Sequence, residues 1–422
     1  MFLACAGALM MLAAAPCARA QTLAVVNARI VAAPDARPIT GGTLLVRDGR
    51  IAAFGDAASV VVPEGMQVLD AAGGTVVAGF WNSHVHLLAP PLDNTAAHAD
   101  AVLSGAMSSA YLRWGFTTLF DIASAPGNAI ALRARIDAGE VRGPHVLTVD
   151  EPFFPKDGVP GYVPDEVGGW SLRRAEVATP EEAARRARRQ LRQGADGLKI
   201  FAGAMVGGDV GVLPMDAGIA RAIVEAARDA GKPVFAHPSN HEGIEVSIAA
   251  GVDVFAHTTP NIGHWSETLA RRLVDADIAL IPTLKLIELE MRKEDAPAEA
   301  IERGLANSMQ QLRVFSKAGG QVLFGTDSGY VDWYDTRDEL RLMHEAGLDW
   351  RQILASLTTT PAARFGQDGR KGRIATGMDA DLVILARDPA DDVEAFADVR
   401  YTLRGGDVVY AVDAVDAMSG RP

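Results

Sequence analysis

Six side chains in this sequence have the chemistry of metal ligands, and each lies at or near the C-terminal end of a short, apolar, strand-like segment. His84 and His86 occur in Phe-Trp-Asn-Ser-His-Val-His and Lys199 in Gly-Ala-Asp-Gly-Leu-Lys-Ile-Phe. His237 closes Pro-Val-Phe-Ala-His, His257 closes Val-Asp-Val-Phe-Ala-His, and Asp327 sits in Val-Leu-Phe-Gly-Thr-Asp-Ser-Gly. Imidazole nitrogens and carboxylate-type oxygens suit zinc, and manganese, iron or cobalt accept the same donors. Two such ions held side by side can activate a water for attack on a carbonyl.

Each signal has a plainer reading. Residues i and i+2 of a strand share a face, so His84 and His86 project together and could chelate one ion, but a lone His-x-His pair is weak. By the same parity Gly197, Lys199 and Phe201 share one face, and Leu198 and Ile200 share the other. A buried lysine must be neutralised or paired; an ion pair with Asp196 or another carboxylate is the plain solution. The alternative is a depressed pKa, at which the free amine can add carbon dioxide and become an anionic carbamate with two oxygens. His237 and His257 could be hydrogen-bonded core residues, and Asp327 could only shape a turn. Six candidates on five segments of one architecture favour the joint metal-site reading.

The elements that must position them alternate. Apolar segments at Val76–His86, Thr117–Ile122, His145–Val149, Gly197–Phe201, Pro233–His237, Val252–His257, Ile278–Pro282 and Val322–Asp327 are separated by amphipathic, helix-like stretches such as Ala183–Gln193 and Asp216–Ala230. Eight strand–helix units over roughly 290 residues predict an α/β (β/α)8 TIM barrel, whose strands all aim their C-terminal ends at one site. A doubly wound open sheet gives the candidates no shared point. The barrel is expected over residues 78–365. Short strands separated by Gly, Asp and Pro at 21–77 and again within 366–422 predict a β-sandwich domain formed from both termini.

The 422-residue chain carries a formal net charge of −13, which argues against a nucleic-acid partner. Its basic cluster, Arg185 to Arg192, follows the capping box Thr179-Pro180-Glu181-Glu182 and reads as a solvated helix face. Residues 1–20 read as a signal peptide: Leu9 to Ala15 is apolar, Pro16 ends the run, and Ala18-Arg19-Ala20 has the small-x-small pattern of a cleavage site. The run is too short for a membrane anchor. Cys5 and Cys17 both fall in this segment, so the exported chain would hold no disulfide and no thiolate ligand. The expected location is periplasmic or secreted.

Several stretches together resemble the amidohydrolase superfamily, in particular its imidazolonepropionase-like subgroup, with prolidase-like dipeptidases and ochratoxinase-like amidases. The most specific is Val77-Ala78-Gly79-Phe80-Trp81-Asn82-Ser83-His84-Val85-His86; Gly115-Phe116-Thr117-Thr118, Gly194-Ala195-Asp196-Gly197-Leu198-Lys199, Thr360-Pro361-Ala362-Ala363-Arg364 and Asp379-Ala380-Asp381-Leu382-Val383 match further along. The resemblance implies two divalent metal ions, most readily zinc. His84, His86 and Asp327 would hold one and His237 and His257 the other, bridged by carbamylated Lys199 and a hydroxide. Asp327 would act as general base, then acid, in hydrolysis of an amide in an N-acyl amino acid, a dipeptide or an ochratoxin-like compound. Prolidase-like relatives often read His-Ala-His-Gly where this chain has His237-Pro238-Ser239-Asn240, so one substrate-binding histidine is missing.

Alternatives on the same scaffold are a deaminase and a cyclic-amide or lactone hydrolase; a non-catalytic binding scaffold is a third. Deaminase relatives place a glutamate three residues after the strand-five histidine, where this chain has Asn240. The partner is expected to be a small-molecule amide, with a homo-oligomer left open. Its pocket should be built from loops after the strands. The segment from Glu151 to Trp170 carries Phe153, Phe154, Tyr162 and Trp170 and suggests either a lid over an apolar group or a loop fastened to the rim. Tyr330 and His264 are further candidates for substrate contact, and Lys285 for pairing with a substrate carboxylate.

Overall fold

The computed structural model describes residues 22–163, 166–167 and 169–412; the expected signal peptide, with Cys5 and Cys17, lies outside them. Strands from both ends of the chain form one mixed sheet. Its members are β1 (Thr22–Ile30), β2 (Ile39–Arg47), β3 (Arg50–Asp56), β4 (Gln67–Asp70) and β5 (Thr75–Ala78) from the N-terminal side. Two more sets of elements follow before the sheet is completed. Three parallel strands, β6 (Phe80–Val85), β7 (Phe116–Asp121) and β8 (His145–Thr148), form a second sheet. Four more, β9 (Leu198–Ile200), β10 (Val234–Ala236), β11 (Val254–Ala256) and β12 (Ala279–Ile281), form a third. Then β13 (Leu382–Leu385), β14 (Val399–Arg404) and β15 (Asp407–Ala411) return to the first, whose order is β15-β14-β13-β5-β1-β2-β3 with β4 on β1.

Alternation along the parallel strands sets two packing layers. Leu119, Val146, Leu198, Ile200, Val234, Phe255 and Leu280 pack into one cluster with helix residues such as Ala183, Ala187, Ile219 and Ile223. Their neighbours Phe120, Leu147, Phe235, Val254, Ala256, Ala279 and Ile281 join Trp81 and Leu323 in another cluster, which draws on both parallel sheets. Side chains from two sheets in one apolar core require the sheets to face a common interior.

Backbone hydrogen bonds link the two sheets on both sides. The segment 321–328 lies between β12 and β6: Leu323 N–H donates to Leu280, and Ser83 N–H donates to Phe324. The expected eighth strand is not a regular strand here: isolated bridges join Val322 to Leu280 and Ser328 to Val85, and Asp327 at its end leaves extended geometry with φ +61°. On the other side Asp196 N–H donates to Thr148 and Phe153 N–H to Lys199. The terminal sheet buries its own core, in which Leu23, Val25, Ile30, Leu44 and Val46 meet Leu382, Ile384 and Leu403. No helix among the described residues is long and apolar enough to cross a membrane.

Candidate metal centre

The strand ends bring the six candidates to one place. His84 is fully buried near the end of β6, and His86 follows directly. His237 and His257 follow β10 and β11 by one residue each, and Lys199 is the middle residue of β9. Asp327, 3 % exposed, reaches them from the segment 321–328 beside β6. One Asp327 oxygen, Oδ1, lies 2.7 Å from His86 Nε2 and 3.1 Å from His84 Nε2; the other lies 3.7 Å from His257 Nε2. The rings of His84 and His257, and of His257 and His237, have centroids 4.6 Å apart.

Two local features allow this close approach. Gly325 runs against β6 so tightly that a Cβ there would lie 2.7 Å from that of His84. Gly329 has φ +94°, and a Cβ there would lie 1.7 Å from the His86 carbonyl oxygen, so glycine is required in Asp-Ser-Gly. His86 N–H donates to the Ser328 carbonyl and Asp327 N–H to the His84 carbonyl, which pins the carboxylate beside both rings.

The donors fit a cation. The Ala123 carbonyl, 2.9 Å from His86 Nδ1, can only accept, so Nδ1 carries the proton and neutral His86 turns a lone pair at Nε2 inward. His84 Nε2 is 3.3 Å from that nitrogen, and the two atoms share the same carboxylate oxygen. Asp327 Oδ1 and His84 Nδ1 are buried without a hydrogen-bond partner among the described residues. A set of lone pairs converging on one point is the arrangement a metal ion satisfies. His84, His257 and Asp327 each supply a ligand atom within 4.8 Å of the other two.

Electrostatics favour the ligating forms of His84, His237, His257 and Asp327, though not of His86. Burial depresses the His84 imidazole to about 4 against the opposing pull of Asp327, and holds His237 and His257 well below the ordinary range. Burial works the same way on His86, but the Asp327 carboxylate outweighs it and raises that pKa. Burial would raise Asp327, yet the charges of His84 and His86 hold it well below the usual carboxylate range.

Lys199 is 2 % exposed, and burial lowers its amine to about 7, with Asp327 opposing. The plain reading of this lysine, a salt bridge to Asp196, is not what the structure contains. Asp196 pairs with Arg133 and, at 3.4 Å, with Lys232. Lys199 Nζ instead lies 5.6 Å from the centroid of the Phe201 ring, which stacks on His237 at 4.9 Å.

A cavity of about 540 Å³ opens over this cluster, with His86, Lys199, His237, His257 and Asp327 at its floor. Tyr162 and Tyr330 line it in edge-to-face contact, with ring centroids 5.8 Å apart. The other three expected contacts lie elsewhere. Phe153 is fully buried beneath the Arg186 guanidinium, 4.4 Å away; its neighbour Phe154 lines the cavity, because adjacent residues of an extended segment face opposite ways. His264 is exposed and outside the cavity. Lys285 is held by Asp338 at 2.8 Å and Glu288 at 3.0 Å and does not reach the cavity.

The described residues of the segment 151–170 line the cavity and pack against its wall. Phe154–Pro155 pairs with Glu176–Val177, while Phe154, Val167 and Leu172 pack with Phe201. Sequence reading missed Glu290, Lys293 and Thr283. The first two lie on the helix Leu284–Lys293, whose charged residues look like any solvated face. Thr283 accepts or donates at 2.6 Å from His257 Nδ1, and its signal is only a Pro-Thr following an apolar strand.

Among known proteins, ochratoxinase from Aspergillus niger is 24 % identical over 429 residues, covering 90 % of this chain and 85 % of its own. L-hydantoinase from Paenarthrobacter aurescens is also 24 % identical, covering 88 % and 87 %. The crystal structure of a putative prolidase from Bifidobacterium longum matches with a TM-score of 0.75 and 26 % identity, covering 95 % of this chain and 98 % of that one. The model of the amidohydrolase family matches residues 75–409, and the chain therefore belongs to that family, as an enzyme that hydrolyses carbon–nitrogen bonds.

Proposed function

We propose that this enzyme is a metal-dependent amide hydrolase of small molecules, acting on dipeptides, N-acyl amino acids or ochratoxin-like amides. Its site is read as the C-terminal mouth of a closed (β/α)8 barrel over residues 78–365, with terminal segments 21–77 and 366–422 forming a β-sandwich domain. The observation that carries the reading is the convergence of His84, His86 and His257 on the two oxygens of Asp327, at 3.1, 2.7 and 3.7 Å. Bound divalent metals, zinc most readily, would polarise a substrate carbonyl and lower the pKa of water at the site.

His84 and His86 supply neutral nitrogens from one strand face, and His237 and His257 supply two more from the adjacent strands. Lys199 lies among them with no carboxylate within ion-pair distance among the described residues; its neutral amine takes up carbon dioxide, losing one proton, to give a two-oxygen anion able to bridge two ions. Asp327 stays ionised in this setting. It accepts a proton from the attacking water and returns it to the leaving nitrogen. Phe154, Phe201 and the Tyr162–Tyr330 pair keep the reacting carbonyl against an apolar wall.

The deaminase reading is disfavoured by Asn240. Its Oδ1 accepts the Gly243 N–H at 2.8 Å and caps the helix His241–Ala250, so it serves the helix rather than a ring nitrogen. Export belongs to the proposal too, resting on the apolar run before Ala18-Arg19-Ala20. The test is product release across dipeptides and N-acyl amino acids, with chelated protein and protein reconstituted with zinc or manganese. Turnover restored by metal is expected; metal-loaded protein that turns over none of them would refute the reading.

A further inference from the structure

The cavity over the metal cluster is lined by a carboxylate one of whose oxygens accepts no hydrogen bond among the described residues. Glu290 lines the cavity from the helix Leu284–Lys293. Its Oε2 accepts the Tyr330 hydroxyl at 2.9 Å. Its Oε1 is buried and has no hydrogen-bond donor among the described residues. The Tyr330 ring in turn stands edge-on to His86, 6.5 Å between centroids, so the carboxylate lies about one tyrosine beyond the reaction centre. Burial and the adjacent Glu290 both push the Tyr330 pKa up, so this phenol keeps its proton and fixes Glu290 as an acceptor.

A buried acceptor without a donor is costly unless a ligand completes it. Lys293 pairs with it: its Nζ is 3.5 Å from Oε1 without hydrogen-bond geometry, donates instead to the Tyr330 hydroxyl at 3.4 Å, and belongs to a side chain that is 59 % exposed. Such a surface pair is weak and readily exchanged. Apolar side chains, among them Leu286, Ile287 and Met291, line the same cavity and could cover a hydrocarbon linker.

We propose that Glu290 is a specificity residue that receives an ammonium group of the substrate, displacing Lys293. The substrate class is then an amide carrying a primary amine on an alkyl arm, such as a lysine- or ornithine-containing dipeptide. A substrate with a carboxylate at that end would meet Glu290 directly and is disfavoured, which separates this chain from enzymes of acidic amides. The inference rests on the amide-hydrolase reading for its substrate, but the Glu290 site itself can be probed without turnover.

The experiment titrates the metal-loaded protein calorimetrically with hexylamine, hexanol and hexanoate, in wild type, Glu290→Gln and Lys293→Met. Wild type should bind hexylamine about ten-fold more tightly than hexanol, the value of one charge-assisted hydrogen bond. Glu290→Gln should remove that preference, and Lys293→Met should increase it. A second arm compares kcat/KM for matched lysine and norleucine dipeptides. Hexanoate binding more tightly than hexylamine, or an amine preference that survives Glu290→Gln, overturns the assignment. An amine preference present in binding with neither dipeptide cleaved would instead leave the Glu290 site standing and remove lysine- and ornithine-containing dipeptides as its substrates.

Discussion

Thr283 holds His257 from behind: its Oγ1 lies 2.6 Å from His257 Nδ1, on the ring edge away from Asp327. Thr283 does so in a strained backbone state, φ +45°, which a β-branched residue seldom adopts. Glu339 stabilises that corner. Its two carboxylate oxygens accept the N–H groups of Leu284 and Lys285, at 2.9 and 2.7 Å, capping the helix that starts there. Partners that orient a ligating imidazole typically contribute 10- to 100-fold in metal affinity.

Thr283→Val keeps the branched shape and deletes the hydroxyl. It should fold, and weaken metal binding by about ten-fold or more. Thr283→Ser, which restores the hydroxyl, should recover most of the loss. Competition against a metal-sensitive chelator measures both; wild-type affinity in the valine variant would show that the 2.6 Å contact has no bearing on the metal.

Lys199 gives a second test. Lys199→Arg keeps positive charge but can neither form a carbamate nor bridge two ions. It should fold, lose metal and lose most activity. Lys199→Ala should be equally inactive, with partial rescue by short carboxylic acids that fill the space. Metal content is the readout, since a carbamate is acid-labile. An arginine variant holding both metals with near-normal turnover would make Lys199 a structural residue.

Gly329 is predicted to be the most sensitive glycine near the site. Gly329→Ala places a methyl 1.7 Å from the His86 oxygen at φ +94°. The loop carrying Asp327 must shift, at a cost of roughly 2–4 kcal/mol. Gly105, inside the helix Asp100–Ala110 with nothing within 4 Å of an added methyl, is the control. Gly105→Ala should stabilise by about 0.5–1 kcal/mol. Urea midpoints of the two variants should therefore move in opposite directions.

The ligand candidates were legible because strand parity is a short-range property. Lys199 between Leu198 and Ile200 already says which face it occupies, and the packing of those neighbours against helices bears this out. Parity also explains why Phe154 rather than Phe153 reaches the cavity once the register of 151–155 is fixed by Phe153 N–H bonding Lys199, a contact across 46 residues that no local pattern encodes. Lys285 failed as a carboxylate partner for the same kind of reason. Its cation is taken by Glu288 one helical turn on and by Asp338 from a later helix. Glu290 and Thr283 gain meaning only from what tertiary packing sets opposite them.

His145 offers a pH test away from the metal cluster. It begins β8, paired with Thr118. Burial, then the charges of Lys371 and Arg404, lower its pKa to about 4, while Asp137 and Asp196 oppose. The unfolded chain binds this proton near 6.5, so between pH 6.5 and 4 the unfolded state holds more protons than the folded one. Stability from this group is therefore complete above pH 6.5 and is lost as the pH falls toward 4. His145 is partly exposed, so the loss is about 1–2 kcal/mol rather than the full value of the shift. His145→Gln cannot titrate. Any packing change it causes is a constant offset, whereas the difference in unfolding free energy from wild type should move in favour of the variant by that amount between pH 7 and 4.5. Urea unfolding of the metal-free proteins at those two pH values measures it, and an unchanged difference would place the His145 proton in the same state folded and unfolded.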